Sequence, residues 1–151
     1  MGEYEVRVFH MRDLHQIILD RNKPVSESFY PGEAYTLYKR SGKKDRVVMC
    51  CGLRRILSAV AEAWAIVSPV TKPGPHALKI IHELLVNVTR SRGIKRVFAY
   101  VPAHSFRSRK FVRAFGFWDC AIIPGLFYLD DAVVSVWENE EKEGVWQKQL
   151  Q

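Results

Sequence analysis

The stretch AEAWAIVSPVTKPGPHALKIIHELLVNVTRSRG, residues 61–93, constrains the fold more than any other part of the chain. It opens with an apolar run of strand length, residues 61–68, which Pro69 closes because proline cannot donate to a sheet ladder. A loop, VTKPGP, follows. Apolar residues then recur with helical spacing at Ala77, Leu78, Ile81, Leu84, Leu85 and Val88. The pattern runs to Arg92, and Gly93 stands where a left-handed residue ends a helix. A buried strand passing through a short loop into an amphipathic helix belongs to a layered α/β domain.

The flanking sequence supplies the other elements. Residues 4–9 alternate and are rich in β-formers, predicting a first strand. Met11, Leu14, Ile17 and Ile18 then repeat at helical spacing, with Asp13 in the first turn where the helix dipole favours a carboxylate. Residues 22–32 hold two prolines, an asparagine and two serines, and read as an irregular link. Residues 34–39 and 46–53 are strand-like and separated by SGKKD, which predicts an antiparallel hairpin. Residues 95–101 form another buried-type strand. Ser105 can cap a short helix whose core face is Ser108, Phe111, Val112 and Phe115, ended by Gly116. Residues 117–123 and 132–137 are the last strands, the latter expected at an exposed sheet edge that permits a homodimer.

The order β, α, loop, β, β, β, α, β, α, β, β predicts a mixed sheet with helices on its faces. At 151 residues the chain has the length of one domain. We expect that domain over residues 1–137, followed by a polar, acidic tail over residues 138–151.

Charge narrows the partners. A net charge of +7 favours acidic ones, such as phosphorylated cofactors, nucleic acid or acidic protein surfaces. Two basic clusters stand out: Arg90, Arg92, Lys95 and Arg96, then Arg107, Arg109, Lys110 and Arg113. They fit either solvated helix faces or a phosphate-contacting surface. The three cysteines, Cys50, Cys51 and Cys120, make no disulfide framework, which points to a reducing, cytoplasmic setting. The charged N-terminus lacks a secretory h-region, and no apolar run is long enough to span a membrane. His76 and His82 are six apart, so they do not share a helix face, and no metal site is expected. No P-loop or nucleophile-elbow motif occurs.

Three segments, in this order and spacing, resemble the GNAT N-acyltransferase superfamily over residues 4–137. They are AEAWAIVSPVTKPGPHALKIIHELL, SRGIKRVFAYV and SFRSRKFVRAFGFW. The resemblance implies a mixed, mostly antiparallel central sheet flanked by helices on both faces. It also implies binding of acetyl-CoA or another acyl-CoA, with transfer to an amine whose identity the sequence does not give. The cofactor would lie along Ile66, Val67 and Ser68 and against Lys72, Gly74, Pro75, His76, Ala77 and Leu78, with Ser105 and Ser108 at positions where family members often touch it.

The phosphate loop departs from the family pattern of Gln or Arg, two residues, Gly, one residue, then Gly or Ala. One register puts Lys72 first and Pro75 where glycine is usual; the other puts Thr71 first and His76 last. Pro73 and Pro75 have no N–H to give a phosphate, while Lys72 and His76 can offer side-chain donors. The resemblance implies Glu62 as the catalytic base, with Glu33 a second candidate. The family's thiolate-protonating tyrosine falls at Val112, so Tyr128 or Tyr100 would have to replace it. Two other readings are open: a GNAT-like binding or virion-associated protein without catalysis, and a DNA-base-modifying enzyme similar to the phage Mom family, which a basic surface would suit.

Overall fold

A computed structural model describes residues 3–21, 30–42 and 44–139. Residues 22–29 of the expected link and 140–151 of the expected tail lie outside the described residues. Among the described residues, seven strands and three helices follow in the order β1 (Tyr4–Val8), α1 (Met11–Arg21), β2 (Glu33–Lys39), β3 (Arg46–Leu57), β4 (Val60–Val67), α2 (Pro75–Arg92), β5 (Arg96–Pro102), α3 (Phe106–Ala114), β6 (Trp118–Ile123) and β7 (Ala132–Glu138). The strands form one open, mostly antiparallel sheet ordered β1-β2-β3-β4-β5-β7-β6. Among the described residues no helix is long and apolar enough to cross a membrane.

The contacts divide into two compact units: Met1–Arg54 with Ala63–Ile80, and Arg55–Glu62 with Ile81–Gln151. In the first, β1 pairs antiparallel with β2, and β2 with β3, which confirms the expected hairpin. Of the face predicted for α1, Leu14 and Ile17 are almost wholly removed from water, whereas Met11 at the helix start is exposed. Ile17 packs with Tyr38, Val47 and Cys50, against which Phe9, Trp64 and Ile66 also lie. Burial of a side chain of this size contributes about 2 kcal/mol relative to exposure.

Two glycines make that packing feasible. Gly32 sits at φ +67°, and a Cβ there would lie 2.2 Å from the Leu53 carbonyl oxygen. Gly52 leaves room for Trp64, whose indole N–H crosses it to donate to the Pro31 carbonyl at 2.7 Å.

In the second unit β7 lies between β5 and β6, antiparallel to both. This corrects the expectation that residues 132–137 form a sheet edge: Ala132 to Trp137 are all buried, and the edges are β1 and β6. AVVSVW is nearly continuous in apolar residues, as suits a strand covered on both faces. All six residues of β6, by contrast, are exposed. The expected core face of α3 is also only half-buried. No residue within the helix is fully buried, whereas Phe115, just past its end, is.

Helix α2 ends as its sequence predicts. Gly93 has φ +69°, its N–H donates to the Arg90 carbonyl, and the N–H of buried Ile94 donates to the Thr89 carbonyl at 2.8 Å. This reciprocal pair satisfies carbonyls that a helix end otherwise leaves open. Arg55 adds a donor to the Arg92 carbonyl at 2.7 Å, placing a cation at the negative end of the helix dipole.

Candidate functional site

The strand-to-helix connection after β4 is the part of the first unit best built to meet an anion. Strand β4 is held to β3 up to its last residue, because the Ser68 N–H donates to the Val48 carbonyl at 2.8 Å. The buried Ser68 hydroxyl then accepts from the N–H groups of Val70 and Thr71, at 3.2 and 3.1 Å, and turns the chain out of the sheet. This side-chain turn fixes where the loop begins.

Helix α2 starts at Pro75, whose locked φ suits a first helical position. Its first ladder bond runs from the Leu78 N–H to the Gly74 carbonyl at 3.1 Å. The N–H groups of His76 and Ala77 therefore stand ahead of the ladder, at the positive end of the dipole. Pro73 and Pro75 give no donor, and Val70 and Thr71 already serve Ser68. Lys72 is exposed and can reach a phosphate through its side chain. Tyr4 backs the loop: its ring centroid lies 6.0 Å from that of His76, and a Cβ on Gly74 would meet its hydroxyl at 3.7 Å.

The expected cofactor residues Ile66, Val67, Ser68, Lys72, Gly74, Pro75, His76, Ala77 and Leu78 thus occupy one continuous strand end, loop and helix start. Their side chains have separate duties. Ile66 packs against the core cluster and Ala77 is fully buried, so whatever these two offer a ligand comes from the backbone. In the same unit Glu33 accepts from the Tyr35 hydroxyl at 2.9 Å, and both line a cavity of about 320 Å³ with Val8, Phe9 and Pro31.

The remaining sequence candidates belong to the second unit. Glu62 is half-buried on β4. Ser105 caps α3: its hydroxyl accepts from the Ser108 N–H at 3.3 Å and lies 2.8 Å from the Ser108 hydroxyl. Tyr128 stands outside both neighbouring strands, with φ +63° and a ring 87% exposed. Of the second basic cluster, Arg109 and Arg113 both donate to Asp119 at 3.0 Å, and the paired guanidiniums hold its carboxyl below the usual range. That pairing offsets part of the positive charge read from the sequence.

The sequence offers no sign of another pair. The ring nitrogen Nδ1 of His104, just past β5, lies 2.6 Å from Oδ1 of Asp130, and the His104 backbone N–H donates to Oδ2 of the same carboxylate at 3.0 Å. The hydrogen bond to Asp130 raises the histidine pKa above its ordinary value and lowers that of the aspartate. These residues are twenty-six positions apart with no motif linking them, so only the paired loops reveal them.

No protein-family profile matches the chain, and no curated protein matches it in sequence. Solved structures do match in fold. A ribosomal-protein-S5-alanine acetyltransferase from Vibrio fischeri superposes with a TM-score of 0.75 at 10% identity, covering 93% of this chain and 96% of that one. A spermidine N-acetyltransferase from Vibrio cholerae gives 0.72 at 12% identity over 92% and 95%. A GNAT-family acetyltransferase from Bacillus anthracis gives 0.69 at 10% identity over 93% and 97%. The chain has the GNAT fold over almost its whole length.

Proposed function

We propose that a chain with this fold works as an acyl-CoA-dependent N-acyltransferase, using acetyl-CoA or a related acyl-CoA as donor. The observation that carries the reading is the connection after β4. Ser68 fixes its start, Gly74 and Pro75 open the helix, and the N–H groups of His76 and Ala77 stand ahead of the hydrogen-bond ladder. A pyrophosphate fits there because backbone donors and the helix dipole both favour negative charge. Lys72 and His76 add side-chain donors where the two prolines withhold backbone ones. Ser105 and Ser108 are the proposed further contacts to the cofactor.

Acyl transfer to an amine requires the attacking nitrogen to lose a proton and the departing sulfur to gain one. Glu62 is the proposed base. The acceptor is an amine, and the cavity beside Phe9, Glu33 and Tyr35 is space one could use.

Thermal unfolding with and without acetyl-CoA tests the reading. A ligand at a hundredfold over its dissociation constant should add about 2.7 kcal/mol to stability. In a domain of this size that raises the midpoint by about 5–10 °C. No shift, together with no heat in a calorimetric titration, would leave a GNAT-like binding protein without acyl-CoA chemistry.

A further inference from the structure

The edge strand β6 and the loop that follows it leave apolar surface in water. Trp118, Ile122 and Ile123 on the strand, and all four residues from Leu126 to Leu129 on the loop, are exposed by 38% to 88%. At about 200 Å² for a side chain of this size, that amounts to as much as roughly 800 Å², the share one partner gives a standard interface. Among the described residues no strand pairs with the outer edge of β6, so its outward N–H and C=O groups also lack a strand neighbour.

The loop holds its side chains in place. The Tyr128 N–H donates to the Gly125 carbonyl at 3.0 Å, and the Phe127 N–H to the Asp130 carbonyl at 3.1 Å. The Asp131 carboxylate accepts from the Gly125 N–H at 2.9 Å, and the Asp131 carbonyl from the Ala103 N–H at 2.8 Å. The Asp130 carboxylate accepts from the His104 backbone N–H at 3.0 Å. Within this frame Tyr128 takes up the left-handed backbone at φ +63°, which residues other than glycine seldom adopt. Four apolar side chains fixed in water by such a frame form a pre-organised contact surface.

Charge selects the occupant. Edge strands are commonly guarded against other chains by charged side chains or proline. Strand β1, the other edge, is guarded in this way: Arg7 pairs with Glu5 at 2.7 Å and with Asp45 at 2.5 Å, and Arg40 also meets Glu5. In β6, WDCAII, the one charged side chain is Asp119, and Arg109 and Arg113 neutralise it at 3.0 Å. A chain of net charge +7 repels its own copies wherever cationic faces meet, and α3 shows Arg107, Lys110 and Arg113 to water. The neutral, apolar edge is where a second copy can approach, and a polyanion gains little there. An antiparallel strand pair is also self-complementary about a two-fold axis, so β6 needs no other sequence as its partner.

We infer that the chain forms a homodimer through β6, two copies pairing antiparallel about the middle of the strand with their Leu126–Leu129 loops covered in the contact. The pairing closes at two, because the guarded β1 edge does not extend it. The interface expected at residues 132–137 thus moves one strand outward. The midpoint of β6 falls between Cys120 and Ala121, which sets the two copies of Cys120 roughly 5–7 Å apart between Cα atoms. Such a dimer stands with or without acyl-CoA chemistry.

Sedimentation equilibrium on the full chain provides the test. At about 100 μM the species should have twice the chain mass, since interfaces of this size associate at micromolar or lower concentration. Association should strengthen as salt rises from about 0.05 to about 0.5 M, which screens repulsion between two cationic chains. Ile122→Lys should weaken it at least about 100-fold by placing an unpaired charge in the contact. Leu129→Lys, outside the strand, should weaken it about tenfold. Leu57→Lys, at an exposed apolar site on β3, should leave it unchanged. A short bismaleimide should join two chains through Cys120, the exposed cysteine, and labelling of Cys120 that is quick in dilute protein should slow as the dimer fills.

A monomer at the highest concentration overturns the dimer. If that monomer protects Cys120 at every dilution, the chain's own residues cover the edge; if Cys120 labels freely throughout, the surface belongs to a partner of another kind. A dimer that both lysine variants at the edge leave intact, that weakens with added salt, or that yields no Cys120 crosslink also overturns the assignment. So do species that grow beyond two chains with concentration, which mark open stacking of edges.

Discussion

The hydroxyl of Tyr38, on β2, donates to the carboxylate of Asp13, on α1, and the carboxylate is 2% exposed. The other carboxylate oxygen accepts from the Thr36 hydroxyl at 2.8 Å and from the His10 backbone N–H at 3.0 Å. Asp13 therefore closes the first turn of α1 and ties that helix to the sheet.

Replacing Asp13 with alanine leaves two buried hydroxyls and a helix-start N–H without their acceptor. Bonds to a charged group are each worth about 1.5–3 kcal/mol, so the expected loss is at least about 2 kcal/mol. Asp13→Asn should cost less, since one amide oxygen can still accept. Urea unfolding measures both, and equal stability of Asp13→Ala and wild type would show that the cluster contributes nothing.

Alkaline pH should weaken the same contact. Burial, and then the bond to and charge of Asp13, push the Tyr38 hydroxyl up to about 12. An unfolded tyrosine titrates near 10. The folded pKa is the higher one, so the contribution is complete below about pH 10 and is lost as pH rises toward 12. Tyr38→Phe should flatten that part of the stability profile, which denaturant midpoints between the two limits would record.

Gly52→Ala tests the Trp64 crossing. The new methyl would lie 2.6 Å from the indole nitrogen and 2.8 Å from the Pro31 carbonyl oxygen. Overpacking of this kind costs about 1–3 kcal/mol, and the Trp64–Pro31 bond should break as well. Loss of stability with a shift in tryptophan emission is the expected result.

The cysteines should differ sharply toward a thiol reagent. Burial pushes Cys50 and Cys51 up to about 12, which removes the reactive thiolate at neutral pH. Cys120 is exposed at a register shift in β6. One thiol should label quickly in the native protein and two more only on unfolding. Fast labelling of Cys50 or Cys51 under native conditions would contradict the packing.

The loop after β4 can be probed by restoring what its sequence removed. Pro75→Ala returns an N–H to the first helical position and should tighten acetyl-CoA binding about two- to fivefold. Lys72→Ala should weaken it about tenfold. If calorimetry finds neither affinity changed, the phosphates do not bind there.

Much of the fold was legible because its signals are local. The Ser68-to-Pro75 connection, the Gly93 helix end and the Ser105 cap each follow from residues within a few positions of one another, where proline, glycine and serine act on the neighbouring backbone. The hairpin of β2 and β3 also follows from its loop, although β3 runs on to Leu57, farther than its alternation suggests. That Ile66 to Leu78 form one continuous strand end, loop and helix start was legible for the same reason.

The sequence by itself determined which segments become strands and helices, and that a strand runs through a proline-rich loop into α2. Tertiary structure decided what depends on distant partners. It placed β7 between β5 and β6 instead of at an edge, since pairing order depends on chain crossovers that periodicity does not encode. It drew Asp13 beneath Thr36 and Tyr38, and it brought Asp130 to His104 across two loops. A side chain's neighbours along the chain set its backbone, but its charge state and chemistry depend on contacts that form only when the sheet assembles.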